Sequence, residues 1–237
     1  MNETAPMYYL SEHAHLCVGK RRVVILDLAS GMYFGLQLSD AQKLSSWVCG
    51  WPVSAGSSDG EVIVRQLHEA RLLTTDSRQG RLVLSTADFA QPVESLLDRA
   101  TTRVLTVQSH HVFQFLRATT LARLHLRVLG LRRIVQRLRA KAHAPSAQEA
   151  NLDEIQALVS IFRQLYPWIG SSKNACLRKS LALLYFLRPF GFSADWVFAV
   201  RDDPFFAHCW LQHRNIVLND TLRATAWLTP IFVVRSP

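Results

Sequence analysis

The chain has 237 residues, 49% of them hydrophobic, and a formal net charge of +9. It is long enough for one large or two small domains, each with its own core. No apolar run approaches the ~18–20 residues that span a bilayer, and the polar N-terminus lacks the features of a signal peptide. We therefore expect a soluble, cytoplasmic protein. The four cysteines stand singly, which argues against a disulfide scaffold and a zinc site, so we expect no bound metal.

The first 85 residues have the pattern of a small α+β unit. Strand-like runs occur over residues 8–18, 22–28 and 32–36. Ser39 and Asp40 are predicted to cap a short helix that reaches Val48. A second helix is predicted to begin at Glu61, and residues 81–85 to form a terminal strand. We therefore predict a first domain over residues 1–85.

Residues 86–111 are predicted to be a linker with some helical character. From there, residues 112–141 have the spacing of a long helix with one apolar face beside its arginines. That side would consist of Leu116, Leu121, Leu124, Val128, Leu131 and Val135. Residues 117–141 contain eight basic residues and no acidic one. Such a stretch could bind nucleic acid, anionic lipid or an acidic partner, but we favour a solvated basic helix face. Another amphipathic helix is predicted over residues 152–165.

Three residues in the last quarter of the chain have the order of a catalytic triad: Cys176, His208 and Asp220. Cys176 follows possible capping residues at 171–174, so we expect it in the first turn of a helix, where unpaired N–H groups and the helix dipole stabilise a thiolate. His208 would accept the thiol proton and later protonate the leaving amine, while Asp220 would orient the imidazole. The alternative is that Cys176 is an ordinary buried cysteine.

Whether Asp220 reaches His208 depends on one residue of a predicted β-hairpin loop. A two-residue loop at 214–215 would set Cys209 opposite Asp220, whereas a three-residue loop would set His208 opposite it. We predict the three-residue loop or an equivalent bulge, with Asn215 in the left-handed conformation.

Side chains alternate along a strand, which places Trp210 and Gln212 on the same face as His208. These two residues are candidates for lining the cleft; the alternative is that they simply pack. Cys209 falls on the opposite face and is predicted to belong to the core.

The sequence around the three residues resembles that of the B proteins of lasso peptide biosynthesis, which are transglutaminase-like cysteine leader peptidases. The matching stretches are Cys176-Leu177-Arg178-Lys179-Ser180-Leu181-Ala182-Leu183, Ala207-His208-Cys209-Trp210 and Val217-Leu218-Asn219-Asp220. The resemblance covers roughly residues 112–237. It implies a transglutaminase/papain-like domain with a helical N-terminal part and an antiparallel sheet. Residues 1–85 look like the PqqD-like, winged-helix-type domain that binds leader peptides, so the chain resembles the fused α+β form of these proteins.

The resemblance implies a bacterial cytoplasmic enzyme that binds the leader of a ribosomally made lasso precursor and cuts it from the core peptide. The core would then pass to an asparagine-synthetase-like lasso cyclase. ATP is linked to cleavage in the fused type, although no ATP-binding motif is present and no cofactor is evident.

An exposed strand edge in the first domain could take up the leader as an added strand. Residues 32–36 and the helix from Glu61 would flank it. The candidate contact residues are Tyr33, Phe34, Arg65 and His68.

Two other functions stay open from the sequence alone. A transglutaminase-type acyl transferase would use the same triad and pass the acyl group to an amine. A winged-helix nucleic-acid-binding protein would use the small first domain and the basic stretch instead. We expect no nucleic-acid partner, and we rank membrane contact by the basic helix below a protein partner.

Overall fold

The structure, a computed structural model, describes residues 7–53, 59–82, 89–99, 106–140, 151–169 and 175–235. The chain divides into two compact units. The N-terminal unit comprises Met1–Asp88, Val200–Ala207 and Thr229–Phe232, and the C-terminal unit comprises Phe89–Ala199, His208–Leu228 and Val233–Pro237. The first unit thus runs past the predicted boundary at residue 85 and includes two segments from late in the chain.

The N-terminal unit contains two three-stranded sheets and two short helices. Its elements are β1 (Tyr9–Ser11), β2 (Ala14–Val18), β3 (Arg22–Asp27), β4 (Met32–Gln37), α1 (Leu38–Gln42), α2 (Glu61–Glu69), β5 (Leu73–Thr74) and β6 (Gly80–Arg81). One sheet has the order β2-β3-β4, with both strand pairs antiparallel, and the other has the order β5-β1-β6. Because β3 is central, Val23 to Leu26 are all buried.

A tight turn joins β3 to β4. Gly31 takes a left-handed φ of 73°, which glycine adopts at little cost. The Asp27 carboxylate accepts hydrogen bonds from the main-chain N–H groups of Ala29 and Ser30, at 2.7 and 3.1 Å. This aspartate turn sets β4 antiparallel to β3. Among the described residues β4 pairs only with β3, so it is an edge strand.

Two local predictions for this unit are wrong. The run 8–18 is two strands in different sheets, because β1 pairs with β5 and β6 while β2 pairs with β3. The predicted helix cap is also misplaced: α1 begins at Leu38 after an extended Gln37, so Ser39 and Asp40 lie inside its first turn. That helix ends at Gln42 rather than Val48. The predicted strand 81–85 falls largely outside the described residues.

The C-terminal part of the chain combines helices with a five-stranded sheet. Its helices are α3 (Ser109–Val128), α4 (Gly130–Ala140), α5 (Leu152–Leu165), α6 (Ala175–Leu187) and α7 (Leu222–Thr225). Its strands are β7 (Glu94–Ser95), β8 (Asp195–Asp202), β9 (Phe205–His213), β10 (Ile216–Val217) and β11 (Thr229–Val234), in the order β11-β8-β9-β10-β7. In the part of the chain that the structure describes, no helix has the length and hydropathy of a membrane span.

The sheet departs from the predicted all-antiparallel arrangement at one edge. Strand β7 runs parallel to β10, with Glu94 beside Ile216 and Ser95 beside Val217. These residues fall within 86–111, which the sequence predicts to be a linker. Their pairing partner lies about 120 residues further along the chain. No local sequence pattern therefore predicts this strand.

The predicted apolar face of the long basic helix is largely exposed over its first half. Leu116, Leu124 and Val128 are 55%, 52% and 64% exposed. The buried side of α3 consists of Phe115, Ala118, Thr119 and Ala122, and α3 packs along α6. Small residues permit this close approach between the helix axes, so they occupy the interface in place of the leucines.

The long helix is also two helices, because Gly130 takes a left-handed φ of 71° where α3 ends. Because of this break, the buried side of α4 does not continue the helical spacing of α3. Leu131 and Val135, which continue the predicted apolar face, are buried in α4.

Candidate active site

Cys176 is the second residue of α6 and is half-buried. The predicted capping residues 171–174 lie outside the described part of the chain. One turn further along, the buried Ser180 hydroxyl donates a hydrogen bond to the Cys176 carbonyl at 2.8 Å. The indole N–H of Trp196 on β8 donates to the same hydroxyl at 2.8 Å. The start of α6 is thereby tied to the sheet.

His208 on β9 forms a short hydrogen bond with Asp220, with Nε2 of the ring 2.6 Å from Oδ2 of the carboxylate. Burial alone would lower the pKa of His208, but hydrogen bonds to Asp220 and Cys176 favour the charged ring and raise that pKa to about 9. The imidazole is therefore placed between the thiol and the carboxylate, as the sequence order suggests.

Asp220 stays ionised in this setting. Burial raises the pKa of its carboxyl group, but hydrogen bonds from His208 and from the main-chain N–H of Thr221 outweigh burial and leave the pKa below its ordinary value. The Thr221 bond measures 2.8 Å. Lys179 on α6 contributes a further favourable charge.

The hairpin between β9 and β10 has the two-residue loop, so the predicted three-residue loop is wrong. Ile216 pairs with His213 and Val217 with Gln212. The left-handed residue is Arg214, with φ of 54°, rather than Asn215. Continued at this register, the ladder would put Cys209 opposite Asp220 and turn Asp220 away from His208.

Asp220 reaches His208 because the ladder stops before it. The last main-chain bond between the strands runs from Leu218 N–H to Leu211 C=O, at 2.9 Å. The return bond is missing: the Leu211 N–H donates instead to the side-chain Oδ1 of Asn219, at 2.6 Å. Beyond this side-chain hydrogen bond the backbone leaves the strand. The side chain of Asp220 therefore need not follow the alternation of side chains between the two faces of the sheet. By leaving the strand here, the backbone brings Asp220 to His208, as the predicted bulge would have done.

The thiol of Cys176 has a second sulfur neighbour that the sequence assigns only to the core. Cys209 is buried, as predicted, yet its thiol and its main-chain N–H both hydrogen-bond Cys176. The Cys209 thiol is the largest influence on Cys176. Together with His208 it outweighs burial and lowers the pKa of Cys176 to about 4. Burial raises the pKa of Cys209 well above its ordinary value, so this group remains a donor.

Trp210 and Gln212 lie in the core rather than on an open cleft wall. The Trp210 ring is 1% exposed and stacks 6.1 Å from the His208 ring. Gln212 is fully buried, and its amide donates to the carbonyls of Ala90 and Arg214, each at 2.7 Å. Trp210 therefore supports the imidazole from the inside, and Gln212 secures the hairpin.

The four candidate leader contacts lie in the N-terminal unit and differ in their surroundings. Tyr33 packs on the ring of Phe205 at 5.8 Å. Phe34 packs against the hydrophobic core of the unit. Arg65 is exposed and pairs with Glu61 at 2.8 Å, and His68 hydrogen-bonds the carbonyl of Leu73 at 3.1 Å.

Polar residues in apolar surroundings are the signal that sequence reasoning left unused. Ser180 interrupts a leucine-rich helix, and Asn219 directly precedes the candidate carboxylate. Both are buried and hydrogen-bonded at the site.

Within the described ranges, no three His, Cys, Asp or Glu side chains are grouped so that they could hold a metal ion.

Comparison with known proteins adds a family match. Residues 116–233 match the family described as Transglutaminase-like superfamily. These residues form a transglutaminase-like core domain. The match begins in α3 and ends in β11, so the domain contains Cys176, His208 and Asp220. No curated protein and no solved structure matches the chain.

The transglutaminase-like domain indicates acyl chemistry on a cysteine, as either a peptidase or an acyl transferase. Both reactions start with a thiolate that attacks a carbonyl carbon. In this site the lowered pKa of Cys176 keeps the thiolate above about pH 4, and the raised pKa of His208 keeps the imidazolium below about pH 9. The ion pair is therefore the resting form at neutral pH.

The reactivity of Cys176 should show this ion pair directly. We expect the rate of its alkylation by iodoacetamide, followed by mass spectrometry of its peptide, to be close to its plateau at pH 6. An ordinary thiol with a pKa near 8.5 would hold about 300-fold less thiolate at that pH. Cys209→Ala should move the midpoint upward, and Cys209→Ser should restore it, because a hydroxyl also donates to the thiolate.

The Cys176→Ala variant controls for labelling of the other cysteines, of which Cys49 is half-buried. A wild-type rate that rises tenfold per pH unit through pH 8 would contradict the ion pair.

Proposed function

We propose that the protein is a cysteine peptidase that removes the leader from a ribosomally made lasso precursor peptide. The observation that carries the chemical part is the arrangement of a low-pKa Cys176 hydrogen-bonded to His208, which in turn bonds Asp220. The transglutaminase-like domain supports acyl chemistry on this cysteine. The choice of a lasso precursor rests on the resemblance of the three motifs.

The proposed reaction has two steps. The Cys176 thiolate attacks the carbonyl carbon of the scissile bond, and the His208 imidazolium gives its proton to the leaving amine as the C–N bond breaks. The acyl group is then held as a thioester. Water, deprotonated by the neutral His208, attacks the thioester and releases the carboxylate and the Cys176 thiolate. Asp220 stabilises the imidazolium whenever it forms.

The released core amine is the nucleophile that ring closure requires. We propose that the core passes to an asparagine-synthetase-like cyclase, which would use that amine to form the macrolactam. The cleavage chemistry itself needs no ATP, so any ATP dependence would come from this coupling.

Cleavage of the precursor should depend on all three residues. Incubation with the precursor peptide encoded beside this protein should give two fragments from one bond, detected by mass. We expect Cys176→Ala to reduce the rate by ~10⁴-fold or more, and Asp220→Asn by on the order of 10²–10⁴-fold. The His208→Ala variant should resemble Cys176→Ala. Each reaction is run with and without ATP and the cyclase.

Three results would contradict the peptidase. Cleavage that survives Cys176→Ala would remove the triad from the mechanism. A gain in precursor mass equal to that of a supplied amine minus the ammonia it displaces would show an acyl transferase instead. Steep, salt-dependent DNA binding that is unchanged by Cys176→Ala, without cleavage, would favour the nucleic-acid-binding alternative.

We also propose that the N-terminal unit binds the leader along the outer edge of β4. Within the described residues β4 pairs only with β3, so its second row of main-chain groups can pair with an added strand. Phe34 is partly buried against the core of the unit and would shape the sheet rather than contact the leader. The exposed Arg65 on α2 is the better candidate for a direct contact.

Leader binding can be measured on the full-length Cys176→Ala protein, which leaves the peptide uncut. We expect Arg65→Glu to raise the Kd for a fluorescent leader peptide by about tenfold, or ~1.4 kcal/mol. Arg78→Glu makes the same charge change at another exposed position of the unit and should leave Kd within twofold. Equal weakening by both variants, or a parent protein that does not bind the leader, would contradict this proposal.

A further inference from the structure

The segment from Val93 to Asp98 runs alongside β10 and continues to the loop that carries Asp220. The Val93 N–H donates to the Asn215 carbonyl, and the Leu96 N–H donates to the Val217 carbonyl, each at 2.9 Å. Strand β7 in the middle of this segment pairs in parallel with β10. The segment thus covers the outer edge of a two-residue strand, at the point where the sheet ends.

Ser95 within this segment makes a buried contact with the main chain of Asp220. Its side chain is 1% exposed, and its hydroxyl donates to the Asp220 carbonyl oxygen at 2.5 Å. The same hydroxyl oxygen accepts a hydrogen bond from the Leu97 N–H at 3.0 Å. With the acceptor side occupied, the hydroxyl proton is directed toward Asp220. A buried hydroxyl is expensive unless it is paired, so this position favours a short side chain that donates.

Three residues further on, Asp98 makes a second contact with the same loop. Its Oδ2 accepts a hydrogen bond from the Leu222 N–H at 3.0 Å. Asp98 itself is exposed. The backbone that directly follows the Asp220 side chain is therefore fixed by one segment, through Ser95 at the Asp220 carbonyl and Asp98 at the Leu222 N–H.

We propose that Ser95, assisted by Asp98, is a positioning residue that holds the Asp220 carboxylate against His208. This inference rests on the proposed peptidase function. Because the ladder between β9 and β10 has already ended at Leu218, the loop cannot rely on strand pairing to keep its place. The side-chain contacts of Ser95 and Asp98 replace that pairing. Neither residue touches the reacting atoms.

The charged groups that face Asp220 determine how the pH dependence of the site should change when Asp220 moves. They are His208 on β9 and Lys179 on α6, with the Thr221 N–H as an uncharged donor. If Asp220 shifts, the imidazolium loses its partner, the pKa of His208 falls, and the thiolate is less stabilised. A change of the pH dependence of the site is therefore expected, which a loss of general stability would not cause.

The test compares Ser95→Ala with Thr119→Val in the full-length protein. Thr119 is a matched control, because it is also buried and its hydroxyl donates to a main-chain carbonyl, that of Phe115 at 2.8 Å. We expect Ser95→Ala to lower kcat for precursor cleavage by about tenfold with KM within twofold. The alkaline limb of the pH profile should move to lower pH, and Ser95→Thr should recover part of both. Thr119→Val should leave kcat and the pH profile unchanged.

Alkylation of Cys176 supplies a readout that needs no substrate. We expect its pH midpoint to rise in Ser95→Ala and to stay at the wild-type value in Thr119→Val. If wild type fails to cleave any precursor, the proposed function fails while this measurement still decides the role of Ser95. Unchanged kcat, pH limb and alkylation midpoint in Ser95→Ala would overturn the inference.

Asp98→Ala keeps the inference testable if Ser95→Ala does not fold, because an exposed side chain can be removed at little cost to stability. It should lower kcat about threefold and shift the alkaline limb in the same direction as Ser95→Ala. An Asp98→Ala protein with wild-type kcat and pH profile, together with an unfolded Ser95→Ala, would contradict the positioning role and show a structural one.

Discussion

The arrangement of the site depends on one hydrogen bond in which a side chain replaces the main chain. The Leu211 N–H donates to the Asn219 amide oxygen at 2.6 Å, where a regular ladder would offer a strand carbonyl. A buried N–H must be paired, and the amide pairs it without requiring the backbone to stay in the sheet. The chain can therefore leave β10 after Leu218, and Asp220 can approach His208 at 2.6 Å although the hairpin register points it the other way.

The same departure from the sheet also serves the thiol. The Leu211 carbonyl faces β10, so by alternation the main-chain N–H of Cys209 faces the same side, where β10 no longer runs. That N–H hydrogen-bonds Cys176, along with the Cys209 thiol. A single irregularity thus places the carboxylate and leaves a main-chain donor for the sulfur. The buried Ser180 fixes the start of α6 against the sheet, so the thiol remains at this opening.

The sequence predicts which residues meet in this site better than it predicts how they meet. Cys176 near a helix start follows from local signals, since the apolar run of α6 begins there. The loop length is wrong because alternation was extended through Asn219, and only the tertiary contact to Leu211 reveals the exception. The buried side of α3 differs from its most apolar side for a related reason: close packing on α6 selects Ala118 and Ala122 over larger leucines. Strand β7 exists only through a partner far away in sequence, so local sequence predicts a linker there.

The most direct test of this account is the protonation state of His208 at neutral pH, read by nitrogen NMR of a histidine-labelled protein. The chain has 9 histidines, and the His208→Gln variant assigns the signal. In wild type the ring should carry protons on both nitrogens at pH 7 and titrate with a pKa of about 9. In Asn219→Ala, where the ladder has no amide to end it, the pKa should fall toward the ordinary value near 6.5. A neutral ring at pH 7 in wild type, or an unchanged pKa in Asn219→Ala, would contradict the account.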